Sequence, residues 1–125
     1  MKRQALVIDD DGDIRELLTV LLESAGFEVE SLADGIHAVE LKRKYDVIIL
    51  DLNMPVFDGE QLTDYWQLTD PDILRRVIVL SGFSKYSRGR KLPTFAAIPK
   101  PFEYRQLLDL VEQCAGATAI AMEER

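Results

Sequence analysis

The chain has 125 residues, 47% hydrophobic and 30% charged, with a formal net charge of −7 from 22 acids and 15 bases. That length suits one domain with its own core, and a lone cysteine, Cys114, excludes an internal disulfide framework. The acidic balance argues against direct nucleic-acid binding, and no run approaches the roughly 20 apolar residues that span a bilayer.

The opening Met1-Lys2-Arg3-Gln4 lacks the apolar stretch of a signal peptide, so a soluble, cytoplasmic protein without membrane attachment is expected. Ala5-Leu6-Val7-Ile8 is a continuous apolar run, the pattern of a strand buried on both faces of a parallel sheet. Asp9, Asp10 and Asp11 follow it. Ile14, Leu17, Leu18, Leu21, Leu22 and Ala25 then form one apolar stripe at helical spacing, with Asp13 and Glu16 as a capping box and Gly26 as the stop. Phe27 to Ser31 alternates apolar and polar, as an edge strand does.

A second, weaker helix is expected from Gly35 to Lys44; it carries His37, a surface residue without a visible partner. Val47 to Leu50 is another buried-type strand and delivers Asp51, followed by Leu52-Asn53-Met54-Pro55. A third helix should start near Asp58 and end before Asp70-Pro71, packing Tyr65, Trp66 and Leu68 on the sheet. Val77 to Leu80 leads into Ser81-Gly82. Residues 83–95 should hold a fourth helix, interrupted at Gly89 and Pro93. Lys85, Arg88, Arg90 and Lys91 form a solvated basic face there, or a docking patch for an acidic partner.

Ala96 to Ile98 is the last strand and ends in Lys100-Pro101-Phe102. The final helix begins near Glu103 with Leu107, Leu108, Val111, Cys114 and Ala115 inward. The order predicts a doubly wound α/β three-layer sandwich over residues 1–115, with 116–125 as a tail or helix extension.

Ligands of open parallel sheets bind beyond the carboxyl ends of the strands. Those ends bring Asp9, Asp10, Asp51, Ser81 and Lys100 to one edge. Carboxylates so close repel one another, and a hard divalent cation such as Mg²⁺ relieves the conflict. A metal held by Asp10 and Asp51 would neutralise an incoming phosphoryl group, with Lys100 and Ser81 meeting its remaining oxygens. Each feature alone has a plainer reading: an Asp-Asp pair caps a helix, Asp51 caps a loop, and Lys100 is surface charge. Their joint placement favours the site.

Asp9-Asp10, Asp51 within Asp-Leu-Asn-Met-Pro-Val-Phe-Asp-Gly, Ser81 and Lys100-Pro101-Phe102 resemble the signature of response-regulator receiver domains. The resemblance covers about residues 4–115. It implies a flavodoxin-like (βα)5 fold with sheet order 2-1-3-4-5 and a phosphoacceptor, not a separate enzyme. It further implies Asp51 as the phosphorylated residue, Mg²⁺ or Mn²⁺ held by Asp9, Asp10, Asp51 and the Asn53 backbone carbonyl, and Lys100 and Ser81 in catalytic or switch roles. Gly59 resembles the tight entry to the third helix, and Lys100-Pro101 a peptide that is cis in the family. A histidine kinase or phosphotransfer protein is the implied donor, and a downstream output protein or domain the implied partner.

One position departs from the family. An aromatic residue usually stands three places before the lysine, where this chain has Ala97; Phe95, two residues earlier, is expected on the same strand face. A metal-dependent aspartyl phosphatase is the alternative, disfavoured because Asn53 stands where its second acid would be. A flavodoxin-like cofactor binder would need a phosphate cradle where three acids stand.

Overall fold

The computed structural model describes residues 2–41, 44–82 and 92–123. Five strands, β1 (Arg3–Ile8), β2 (Phe27–Leu32), β3 (Val47–Asp51), β4 (Val77–Ser81) and β5 (Ala96–Pro99), form one sheet in the order β2-β1-β3-β4-β5. All four pairings are parallel. This is the flavodoxin-like order expected from the sequence.

The apolar runs are continuous because both faces of the sheet are covered. Ala5 and Val7 of β1, Val47 and Ile49 of β3, and Ile78 and Leu80 of β4 face α1 (Gly12–Ser24) and α4 (Tyr104–Glu123). Their alternates, including Leu6, Ile48 and Val79, face α2 (Gly35–Ala38), α3 (Gly59–Thr69) and a 3₁₀ helix (Pro71–Arg76). β2 lies at one edge, and its mixed burial matches its alternating sequence. Arg3 clamps this side: it chelates Glu112 of α4 at 2.7 and 2.9 Å and lies 4.1 Å over the Phe27 ring. The ion pair raises the Arg3 pKa and lowers that of Glu112.

Several local expectations change. The cap of α1 is Asp11, not Asp13 with Glu16: the Asp11 carboxylate accepts from the N–H groups of Asp13 and Ile14. The helix begins at Gly12, and Asp11 is the residue with extended backbone at its start.

α2 ends at Ala38 rather than Lys44, because Val39, Glu40 and Leu41 donate to Ile36, His37 and Ala38, three residues back. Hydrogen bonding thus tightens to a 3₁₀ pattern. Val39, Leu41 and Tyr45 still reach the core, and that contact created the helix-like spacing. Residues 42 and 43 of the expected helix lie outside the described residues. His37 is not partnerless; its ring Nδ1 lies 2.8 Å from Asp34 Oδ1.

Trp66 packs on the sheet at 5% exposure, but Tyr65 and Leu68 point outward. Both fall off the face formed by Leu62 and Trp66, which lie one turn apart. The 3₁₀ helix occupies a stretch assigned to no element. Cys114 is buried, and burial pushes its thiol up to about 12. α4 continues to Glu123. The fourth helix and the four basic residues fall at 83–91, outside the described residues; residues 92–95 are not helical.

Candidate functional site

In the observed sheet, chain order reverses between β1 and β3: β2 lies to one side, β4 and β5 to the other. Ligands of such sheets bind at this switch point, beyond the carboxyl ends of the strands. Asp9 follows the last residue of β1, and Asp51 is the last residue of β3. Both carboxylates are buried, at 1% and 2% exposure, whereas Asp10 is exposed. One oxygen from each of Asp9, Asp10 and Asp51 lies within 4.8 Å of the others.

Short local bonds hold the two buried acids. Asp9 Oδ1 accepts from the Asp11 N–H at 2.9 Å, and the Asp9 carbonyl accepts from Arg15 Nη1 at 2.7 Å. Asp51 Oδ1 accepts from the Asn53 N–H at 3.1 Å. β4 and β5 supply the rest of the edge. Ser81 ends β4, and its carbonyl accepts from the Lys100 N–H at 2.7 Å. Lys100 follows β5, joined to Pro101 by a cis peptide. Its Nζ lies 3.1 Å from Asp51 Oδ1 and 3.7 Å from Asp9 Oδ2.

Gly59 closes the floor. A Cβ there would stand 2.6 Å from the Asp51 carbonyl oxygen and 2.7 Å from Leu52 Cα. Only glycine lets α3 start this close to the strand end. Asp58 caps α3 in a reciprocal box with Gln61.

The electrostatics follow from burial. Desolvation raises Asp9 to about 6, against the Asp11 N–H, which favours the carboxylate; Asp51 and Asp10 raise it further, while Lys100 lowers it. Asp9 Oδ2 has no hydrogen-bond partner among the described residues. A buried carboxylate oxygen left over, beside two more carboxylates, suits a hard divalent cation that takes oxygen ligands. The residues therefore fit a divalent metal.

The edge thus brings together the carboxylates of Asp9, Asp10 and Asp51 and the ammonium of Lys100, with Ser81 and Asn53 adjoining through their main chains. The Arg15 contact was not anticipated; its only trace in the sequence is a cation in the first turn after three acids. Ala97 is exposed, and Phe95 does not share its face. Phe95 precedes β5, donates its N–H to the carbonyls of Leu74 and Val77, and packs into the cluster on the α1–α4 side. Ala96 and Ile98 belong to that side, so Ala97 points to the other.

Comparison with known proteins identifies the family. The model of the response regulator receiver domain matches residues 5–112. The sensor kinase CckA of Brucella abortus is 31% identical over 115 residues, covering 86% of this chain and 12% of the kinase. Sporulation initiation phosphotransferase F of Bacillus subtilis is 25% identical, covering 90% of this chain and 94% of that protein. The response regulator TrrA of Thermotoga maritima, solved in complex with Mg(2+)-BeF, superposes with a TM-score of 0.78 at 27% identity, covering 90% of this chain and 98% of that one. The chain spans about half the length of the transcriptional regulators it also matches. No helix among the described residues is long and apolar enough to cross a membrane. The chain belongs to the response regulator receiver domains, the phosphoacceptor modules of two-component signalling.

Proposed function

We propose that Asp51 is the residue phosphorylated in this receiver domain, and that a histidine kinase or phosphotransfer protein is the donor. The observation that carries the reading is the meeting of three carboxylates within 4.8 Å with Lys100 Nζ 3.1 Å from Asp51. Lys100 and the Asn53 N–H both engage Asp51 Oδ1, which orients the carboxylate and leaves Oδ2 to form the new bond. As the O–P bond forms, the P–N bond of the donor phosphohistidine breaks, and the leaving imidazole keeps the electron pair and takes up a proton. Lys100 then meets a phosphoryl oxygen as a compact cation, and the Ser81 hydroxyl donates to another.

Asp9, Asp10, Asp51 and the Asn53 carbonyl would hold Mg²⁺ or Mn²⁺, which supplies positive charge to balance the phosphoryl group. The Mg(2+)-BeF complex of the similar TrrA supports that choice. The phosphorylated chain would then signal to an output protein or domain. Residues 1–115 are the proposed receiver unit, and 116–125 a C-terminal tail or helix extension, in which α4 runs on to Glu123.

The test uses acetyl phosphate, Mg²⁺ and intact mass. The protein should gain one phosphoryl group that hydroxylamine removes. Asp51→Asn should gain none; labelling of that variant at the wild-type rate would reject the assignment.

A further inference from the structure

Among the described residues, Val56 is the one non-glycine residue with a positive φ, 65°. The Phe57 N–H donates to the Pro55 carbonyl over 2.8 Å, so Val56 is the central residue of a γ-turn. A γ-turn with positive φ at its centre is rare and strained, and a β-branched side chain makes that conformation less favourable still. The shoulders of the turn are fixed. Met54 is buried, the ring of Pro55 restricts its φ, and Phe57 packs so closely on Gly35 that a Cβ there would lie 2.8 Å from its ring. Val56 itself is 88% exposed, so its side chain gains little packing within the chain.

Strain held where nothing inside the chain benefits from it points to a use outside the chain. The location indicates which use. Val56 stands on the loop between β3 and α3, five residues after Asp51, whose carboxylate lies buried at the strand ends. Any protein that delivers a phosphoryl group to Asp51 must seat on the loops around it. Ile36, 47% exposed, follows Gly35 just as Val56 precedes Phe57, so two apolar side chains flank one contact on this part of the rim. Asp10, Asp11 and Asp13, all exposed, belong to the loop and first turn after β1.

We propose that Val56 is a specificity-determining contact for the protein phosphodonor, held out by the strained turn to meet an apolar patch beside the donor's phosphohistidine. The proposal rests on the reading of Asp51 as phosphoacceptor. A donor protein buries Val56 on docking; a small phosphodonor has no surface with which to do so. Because a few residues carry most of the binding energy of an interface, one contact on this rim can decide between donors.

The experiment compares two phosphoryl sources on the full chain. The source organism's histidine kinases, each autophosphorylated with ATP, are screened for the fastest transfer, and acetyl phosphate with Mg²⁺ is the small donor. The readout is the ratio of the kinase rate to the acetyl phosphate rate. Val56→Gly and Val56→Asn, which both accept positive φ, should lower that ratio at least tenfold, while Val56→Ile keeps it within about threefold. An unchanged ratio in Val56→Gly and Val56→Asn overturns the proposal. So does a parallel fall in both rates, which would make Val56 a determinant of site geometry. Labelling by acetyl phosphate but by no kinase would overturn it as well. Equal labelling of Asp51→Asn by acetyl phosphate is a separate result, and rejects the phosphoacceptor reading instead.

Discussion

Lys100 Nζ lies 3.1 Å from Asp51 Oδ1 and 3.7 Å from Asp9 Oδ2, so one cation from the end of β5 bridges acids from β1 and β3. Removing it should separate two roles. Lys100→Met should slow labelling by acetyl phosphate about a hundredfold, the loss typical when one donor to developing charge is deleted. Divalent-metal affinity, read by calorimetry, should hold or rise, because the ammonium competes for the same carboxylates. A fall in both would mean that Lys100 mainly keeps the site folded.

Asp9 makes stability depend on pH. Its folded pKa of about 6 exceeds the ordinary carboxylate value near 4, so the native state binds its proton more tightly than the unfolded state does. That contribution is complete at pH below about 4 and is lost as pH rises through about 6. The metal-free protein should therefore lose up to about 3 kcal/mol across this window from Asp9 alone. Asp9→Asn should remove most of the dependence, making the variant the more stable protein at pH 8 in EDTA. Urea midpoints at pH 4.5 and 8 check this, and saturating Mg²⁺ should narrow the gap.

Much of this edge was legible because its signals are local and redundant. Apolar runs before Asp9, Asp51 and Ser81 fix three buried strands, and a strand end places the following residue at the sheet edge whatever the loops do. What could not be read depends on competition between near-equivalent groups or on contacts remote in sequence. Three successive acids offered three caps, and only the starting point of the backbone selects Asp11. Ala38, Leu41 and Tyr45 have helical spacing, yet the same core contacts are made after the helix has tightened and ended. Phe95 looked in register with Ala97, but its N–H is drawn to Leu74 and Val77 before β5 begins. Nothing local marks Val56, since valine is among the least expected residues at positive φ.

Gly59 should tolerate no side chain. The atoms facing its absent Cβ are backbone atoms of Asp51 and Leu52, which cannot rotate away. Gly59→Ala should destabilise the fold by about 3 kcal/mol, measured by urea unfolding, and slow phosphorylation because the strand end must shift. Gly116, with nothing within 4 Å of its added Cβ, is the control: Gly116→Ala in α4 should stabilise by about 1 kcal/mol.

The strain at Val56 also has a thermodynamic signature. Val56→Asn places a residue tolerant of positive φ at the same exposed position, and should raise stability by about 1 kcal/mol. A higher urea midpoint with an unchanged slope is the expected result. A lower midpoint would mean that the valine side chain stabilises the free protein after all.

The most direct test of the account is chemical identification of the phosphorylated atom. An acyl phosphate on aspartate is reduced by borohydride to homoserine, which marks the position permanently. After acetyl phosphate treatment with Mg²⁺, borohydride reduction and proteolysis, tandem mass spectrometry should find homoserine at position 51, and its yield should collapse in EDTA. Homoserine at position 9 or 10, or a yield at position 51 unaffected by EDTA, would contradict the assignment of a metal-assisted phosphoacceptor at Asp51.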